Sequence, residues 1–166
     1  MSEDGVLGEV YSGSFRRLVV QLYAVTGDLG EAQEAVQEAF VRAAARPRLF
    51  AALDNHEAWL RRVALNVARS RYRRHRLLRG LLHRIGPPPV VPETSAEHVA
   101  LMQAMRQLPR SQRDTLALHY LADLPVNEVA EALGVSAGTV KSRLSRGRQA
   151  LALLLTEPTL TGSAHA

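Results

Sequence analysis

The chain has 166 residues, of which 46% are hydrophobic and only 5% aromatic. This length fits one ordinary domain or two small ones, and a core built from Leu, Val and Ala favours helices over strands. The lack of cysteine excludes disulfides and thiolate metal sites, and no apolar run approaches the roughly 18 residues of a membrane span. Because the N-terminus is acidic, unlike a secretory signal, we expect a soluble, cytoplasmic protein with no membrane insertion.

The net charge of +5 is unevenly distributed along the chain. Residues 1–60 carry five basic and nine acidic side chains, whereas residues 61–86 carry nine arginines and no acid. A second block without acids, between Glu131 and Glu157, contains one lysine and three arginines. Such concentrated positive charge indicates a polyanion partner such as nucleic acid, although a solvated face or a surface near a membrane would have the same composition.

The N-terminal third of the chain is predicted to be helical. Apolar residues recur at three- and four-residue steps over residues 7–22, which predicts an amphipathic helix that ends at Gly27. Asp28 and Glu31 form a capping box for the next helix, whose apolar stripe occupies residues 32–43.

The following segment is predicted to be a loop and then a long helix. Pro47 ends the second helix, so residues 46–55 are expected to form a loop. Asp54 and Glu57 offer a second capping box. The long helix after them carries Trp59, which could stack on a base but which we expect in the core.

Three consecutive prolines, at residues 87–89, separate the chain into two parts. Prolines hold the backbone extended and donate no hydrogen bond, so regular structure ends there. Helices are then predicted over residues 94–107 and 110–121, followed by two short helices. We therefore predict an all-α fold of two small domains, at residues 1–85 and 94–155, with a flexible Pro-rich linker at 86–93 and a disordered tail at 156–166.

Residues 127–144 carry the sharpest motif, a helix-turn-helix. Ala130 is the small residue needed where the two helices cross, and Gly134 supplies the positive φ of the tight turn. Ser136 is placed to cap the second helix. A plain helical hairpin with a solvated basic face is the alternative.

The outward side of that second helix is polar, rich in hydrogen-bond donors and free of acids. Short side chains there allow close approach, and the arginines can reach base edges or phosphates. The predicted DNA-binding residues of this helix are Ser136, Gly138, Thr139, Lys141, Ser142, Arg143, Ser145, Arg146 and Arg148.

Two further surfaces are predicted in the first domain. The long helix combines arginines, an amide and an aromatic ring, a set that holds phosphates and stacks an unpaired base: Arg62, Asn66, Arg69, Tyr72, Arg73 and Arg74. The preceding helix carries an acidic, amide-rich stripe that suits a protein partner, with a solvated helix face as the alternative: Gln33, Glu34, Gln37, Glu38 and Arg42.

No motif for catalysis is present in the sequence. The six histidines are dispersed, and His56-Glu57 begins like a zinc-protease motif but has Leu60 where the second histidine is required. Glycine-rich phosphate loops and nucleophile elbows are also absent. We expect no catalytic residue, no metal site and no cofactor.

Several motifs resemble those of extracytoplasmic-function (ECF, group 4) sigma factors of the sigma-70 family. LPRSQR at 108–113 and GTVKSRLSRGR at 138–148 are similar to the opening motif and the recognition helix of sigma region 4. Residues 31–40 and 58–66 resemble region 2 of the same family. The resemblance covers nearly the whole chain in the right order, and we expect a member of the sigma-E-like type.

This resemblance implies a division of labour between the domains. Region 2 would dock on the coiled-coil clamp of core RNA polymerase through the stripe of the second helix, and would open the −10 element with the arginine-bearing helix. Region 4 would place the recognition helix in the major groove of the −35 element of the promoter DNA and touch the polymerase flap. An anti-sigma factor is a further partner that the resemblance allows, and the site of action would be the nucleoid.

The sequence departs from the family pattern at three places in region 2. The family usually has Asp at the position of Glu34, a tryptophan soon after the Phe40 helix, and an acid where Ser70 stands. A stand-alone helix-turn-helix regulator of operator DNA is the alternative function, because the second domain resembles those proteins too. The first domain distinguishes the two, since such a regulator has no need of it.

Overall fold

The computed structural model describes residues 3–82 and 95–156. Within these ranges the chain folds into α-helices joined by short turns, with no strand. This confirms the all-α prediction. The predicted linker at 86–93 and residues 157–166 of the predicted tail lie outside the described residues.

The N-terminal domain consists of four helices: α1 (Glu3–Thr26), α2 (Leu29–Ala44), α3 (Pro47–Ala51) and α4 (His56–Leu82). The helices α1, α2 and α4 pack against one another around side chains with no exposed surface, among them Leu18, Leu22, Val36, Leu60 and Leu65. The predicted apolar stripes therefore form one core, which holds α2 and α4 side by side.

The two turn signals of this domain lie where predicted, but the capping box is only half formed, because the Asp28 amide donates to Thr26 Oγ1 at 3.3 Å. Gly27 adopts a φ of 69°, a left-handed conformation that glycine reaches without a steric penalty, and ends the first helix. Asp28 then caps α2, since its Oδ1 accepts a hydrogen bond from the Glu31 amide at 2.9 Å.

The predicted loop at 46–55 is partly wrong, because it contains the short helix α3. Pro47 does not only end the preceding helix; it also occupies the first turn of α3, where a missing N–H costs no hydrogen bond. Phe50 anchors this helix in the core and meets Trp59 edge-to-face, with 5.7 Å between ring centroids. The core position predicted for Trp59 is thereby confirmed.

The capping box predicted for α4 is also wrong by one residue. Asn55, not Asp54, is the cap, since its Oδ1 accepts from the Ala58 amide at 2.9 Å. Glu57 instead accepts a hydrogen bond from Arg17 Nε at 2.8 Å, which joins α4 to α1.

The C-terminal domain contains α5 (Ala96–Gln107), α6 (Arg110–Leu116), α7 (Val126–Leu133) and α8 (Ala137–Thr156). The helix predicted over 110–121 changes from α to π geometry at Ala117–Leu121, which we call the π-turn. The last helix was predicted to be short and is instead 20 residues long. Helices α5, α6 and α7 all contact α8, which is the centre of this domain.

The two domains pack against each other in the structure. Helix α4 contacts α7, and α1 contacts the π-turn. The sequence predicted two separate domains on a flexible linker and no contact between them, so this contact is a finding of the structure alone.

Candidate nucleic-acid interface

The turn between α7 and α8 has the geometry that its sequence predicts. Gly134 ends α7 with a φ of 68°, and the Val135 amide donates back to the Ala130 carbonyl at 3.0 Å. Ser136 caps α8, since its Oγ accepts from the Thr139 amide at 3.1 Å. These bonds fix the angle at which α8 leaves the turn.

Helix α8 has one buried and one exposed side. Val140, Leu144 and Gly147 are buried against the rest of the domain. Of the residues predicted to bind DNA, Thr139 and Arg143 are half-buried, and the others are exposed: Ser136, Gly138, Lys141, Ser142, Ser145, Arg146 and Arg148. The predicted set therefore forms one largely exposed, basic surface on α8.

Tyr120 on the π-turn is a neighbour of this surface that the sequence did not indicate. Its hydroxyl accepts a hydrogen bond from Arg148 Nη1 at 2.7 Å. The next turn is closed by His119, whose Nδ1 donates to the Leu124 carbonyl at 2.8 Å. Since the register of a π-helix differs from that of an α-helix, α-helical periodicity could not place Tyr120 beside Arg148.

The second domain covers part of the arginine-bearing face of α4 and leaves the rest exposed. Exposed members of the predicted set are Arg62, Asn66, Tyr72, Arg73 and Arg74. Arg69 is half-buried, and its Nη2 lies 3.7 Å from Asp114 Oδ2 on α6. The guanidinium of Arg110 lies over the Tyr72 ring, 4.9 Å from its centroid.

Burial dominates the electrostatics of this contact. The Asp114 side chain is 4% exposed, and this burial raises the pKa of its carboxyl, although the charges of Arg110, Arg69 and Arg113 oppose the shift. Burial also lowers the pKa of Arg69, against the attraction of Asp114. Arg143 adds to that lowering by repulsion, so α8 brings positive charge close to α4.

The polar stripe of α2 lies on the surface, opposite the buried face formed by residues such as Ala32, Ala35 and Ala39. Gln33, Glu34, Gln37 and Arg42 are exposed and Glu38 is half-buried. Two ion pairs organise the stripe: Arg42 Nε lies 3.0 Å from Glu38 Oε1, and Glu34 pairs with Arg71 of α4. The structure thus presents all five side chains along one helix.

The described part of the chain offers neither a metal-binding cluster nor a membrane-spanning helix. Residues 3–82 and 95–156 contain no group of three His, Cys, Asp or Glu side chains arranged to hold a metal ion. Over the same residues, no helix has the length and hydropathy required to span a bilayer.

Comparison with known proteins identifies two family regions in this chain. Residues 11–85 match the family Sigma-70 region 2, and residues 98–151 match Sigma-70, region 4. The ECF RNA polymerase sigma factor SigW of Bacillus subtilis is 31% identical over 78% of this chain and 78% of its own length. The chain belongs to the ECF sigma factors.

Other relatives lie within the same group. The ECF sigma factor SigL of Mycobacterium tuberculosis H37Rv is 31% identical over 80% of this sigma factor and 79% of its own length. The RNA polymerase sigma-E factor of Streptomyces coelicolor is 33% identical over 70% of this chain and 67% of its own. Because the relatives carry several group names, the sigma-E-like type stays a prediction.

A solved structure shares the fold. It is that of the sigma factor RpoE in complex with the anti-sigma factor NepR from Bartonella quintana, which matches with a TM-score of 0.73 at 23% identity. The match covers 90% of this chain and 96% of that one, so both domains have the same architecture.

Proposed function

We propose that this sigma factor recognises the −35 promoter element with α8. The observation that carries the proposal is the separation of sides on this helix: Val140 and Leu144 are buried, whereas Ser142, Ser145 and Arg146 are exposed together. A helix whose apolar side is held by its own domain presents the opposite side to the major groove. The proposed contacts are Ser136, Gly138, Thr139, Lys141, Ser142, Arg143, Ser145, Arg146 and Arg148.

The −10 element is assigned to the arginine-bearing face of α4. Arginines bind phosphates, and Tyr72 offers a ring on which an unpaired base can stack. α4 itself carries no acidic residue after Glu57, and the acids that reach this face come from other helices, Asp114 at Arg69 and Glu34 at Arg71. The proposed contacts are Arg62, Asn66, Arg69, Tyr72, Arg73 and Arg74.

Core RNA polymerase is assigned to the stripe on α2. Gln33, Glu34, Gln37, Glu38 and Arg42 lie along one exposed helix, and their acid and amide groups suit a protein surface better than DNA. We propose that the clamp coiled coil of the polymerase binds this stripe and that the polymerase flap contacts region 4. An anti-sigma factor would compete for these surfaces.

The sigma factor supplies binding and no chemistry in this proposal. Nucleotide addition belongs to the polymerase active site, so the chain itself has no catalytic residue and requires no cofactor. Its work is done in the cytoplasm, at the nucleoid, where the polymerase meets promoter DNA. The family match over region 2 favours this function over that of a stand-alone operator-binding regulator.

Transcription in vitro with purified core polymerase on a promoter library tests the assignment. Arg146→Ala should weaken use of the upstream element by about 1–3 kcal/mol if a base contact is lost, and should leave polymerase affinity unchanged. Glu38→Lys should have the opposite pattern, because it reverses a charge in the polymerase stripe. Arg16→Ala, which removes an exposed arginine of α1, serves as the matched control.

Equal effects of Arg146→Ala and Glu38→Lys on both measurements would contradict the division of roles. Tight binding of the free chain to a duplex operator, with no binding to core polymerase, would contradict the proposed function as a whole.

A further inference from the structure

The π-turn interrupts the regular helix of region 4 shortly before the helix-turn-helix. In it the Ala122 amide donates to the Ala117 carbonyl at 2.9 Å, five residues back instead of the four of an α-helix. Single π-turns within longer helices are often found at functional sites. The side chain that this turn presents is Tyr120, which is 51% exposed and meets Arg148 of α8.

His119 closes the π-turn from within the domain. Its Nδ1 donates to the Leu124 carbonyl at 2.8 Å, and the Leu124 amide donates to the Leu118 carbonyl at 3.0 Å. Leu118 and Leu124 are both buried in the core. Between them Asp123 has a φ of 55°, a left-handed conformation that is uncommon for residues other than glycine. The two hydrogen bonds to Leu124 therefore hold a turn that the backbone does not favour by itself.

The His119 ring also supports Tyr120. The two rings meet edge-to-face, with 4.8 Å between their centroids and 74° between their planes. The Tyr120 hydroxyl in turn accepts from Arg148 Nη1, so contacts run without a break from Leu124 through His119 and Tyr120 to Arg148. Because the hydroxyl is a neutral acceptor, the guanidinium keeps its full positive charge for an anion.

The position of Arg148 along α8 indicates which anion that is. The helix begins at Ala137, and Arg148 lies eleven residues further on, about 16 Å along the axis at about 1.5 Å per residue. In helix-turn-helix proteins the first residues of the recognition helix contact base edges. A guanidinium so far from that end is suited to the DNA backbone, where phosphate contacts set the register of the protein.

We infer that the π-turn positions Arg148 on a backbone phosphate of the upstream promoter element, with His119 as the residue that holds the turn. The inference rests on the proposed function of α8 and deepens it, because it separates the base-reading part of the helix from a phosphate contact. His119 is a positioning residue in this arrangement. It acts through Tyr120 and Arg148 and does not itself contact DNA.

Two amide substitutions of His119 test its role. The side-chain nitrogen of Asn can take the place of Nδ1, whereas the longer Gln carries its nitrogen to the place of Nε2. His119→Asn should therefore keep the hydrogen bond to the Leu124 carbonyl, and His119→Gln should lose it. His98→Gln, at an exposed histidine of α5, is the matched control.

Each variant is assembled with core polymerase and bound to one labelled promoter fragment, selected from a library by transcription in vitro. Fluorescence anisotropy measures the affinity at several salt concentrations. His119→Gln should weaken binding about three- to tenfold, the range expected for the loss of one hydrogen bond. The slope of log affinity against log salt concentration should fall by about one, because one phosphate contact is lost. His119→Asn should restore most of both values.

The salt slope distinguishes positioning from a general loss of stability. A destabilised region 4 would lower the active fraction of the protein and leave the slope unchanged. An unchanged slope in His119→Gln, an equal loss in His98→Gln, or a failure of His119→Asn to restore binding would each overturn the inference.

Amide hydrogen exchange in the free chain separates this inference from the proposed function. The Leu124 amide should exchange faster in His119→Gln than in the wild type, because the turn is no longer closed. If Arg148→Ala lowers the salt slope and His119→Gln does not, the proposed function stands and the inference fails. If exchange at Leu124 rises but neither Arg146→Ala nor Arg148→Ala affects promoter binding, His119 holds the turn and the proposed role of α8 fails.

Discussion

Gly147 of α8 packs directly against Leu116 of α6. A Cβ atom at position 147 would lie 2.9 Å from Leu116 Cδ1 and 3.2 Å from its Cγ. Leu116 is itself buried and has little room to move. The absence of a side chain at 147 therefore determines how closely the recognition helix approaches the core of region 4.

Gly147→Ala is expected to destabilise region 4 for this reason. The gain of about 0.5–1 kcal/mol from replacing glycine in a helix is smaller than the roughly 1–3 kcal/mol that overpacking costs. Thermal unfolding followed by circular dichroism measures the difference. Gly138→Ala is the control on the same helix, because a Cβ atom there would lie 3.9 Å from Ser136 Oγ, an ordinary contact distance. An equal loss of stability in both variants would contradict the steric argument.

Tyr120→Phe should weaken promoter binding through Arg148. The variant removes the hydroxyl that accepts from Arg148 Nη1, so the guanidinium that we propose as a DNA contact loses the partner that holds it. We expect a loss of about 0.5–1.5 kcal/mol in binding to the upstream element. Stability should change by less than about 0.5 kcal/mol, because the pair is exposed.

A double-mutant cycle isolates this effect. If Tyr120 acts by positioning Arg148, then Tyr120→Phe has no further effect on binding once Arg148→Ala is present. The same loss in both backgrounds would show instead that the hydroxyl contacts DNA by itself.

Glu57 should make the stability of region 2 decrease at acidic pH. The hydrogen bond from Arg17 lowers the pKa of this carboxyl, against its burial, and the charges of Arg17 and Arg61 add to the lowering. Because the pKa of Glu57 is lower in the folded state than in the unfolded chain, ionised Glu57 stabilises region 2 fully above the ordinary pKa of 4.5. This stabilisation is lost as the pH falls through the lower pKa of the folded state. Glu57→Gln should therefore remove this part of the pH dependence.

Trp59 provides the measurement, since it is the only tryptophan of the chain and lies two residues from Glu57. Urea unfolding followed by its fluorescence should show Glu57→Gln less stable by about 1 kcal/mol at neutral pH, a modest value because Arg17 is more than half exposed. The difference from wild type should shrink on acidification. Glu9→Gln, at an exposed acid of α1, is the control; an unchanged difference at low pH would refute the linkage.

Asn55→Ala should destabilise region 2 by about 0.5–2 kcal/mol, the usual cost of losing an N-cap. Asn55 Oδ1 satisfies the Ala58 amide, one of the donors left free at the start of α4. Asp54→Ala should have little effect, although the sequence pattern favours that residue as the cap. Unfolding in urea compares the two variants, and a larger loss for Asp54→Ala would restore the original prediction.

Local signals were sufficient for most of the fold and for the chemistry of α8. The steps between apolar residues predict the helices, and Gly134 and Ser136 predict the turn and cap that the structure contains. Neighbours within one turn of chain determine these features, so they can be inferred from short spacings. The shift of the cap from Asp54 to Asn55 shows the limit of that inference, because adjacent residues with equivalent side chains compete for one position.

What the sequence by itself determined is the set of helices, the helix-turn-helix, the division of charge, and the family to which these belong. Only the tertiary structure decided that Tyr120 meets Arg148, that Glu34 meets Arg71, and that Glu128 faces Arg61 across the domains. These partners lie tens of residues apart, and no local rule selects one acid or hydroxyl over another for a given arginine. The packing of whole helices brings them together, and so determines which arginines of this sigma factor have a partner within the chain.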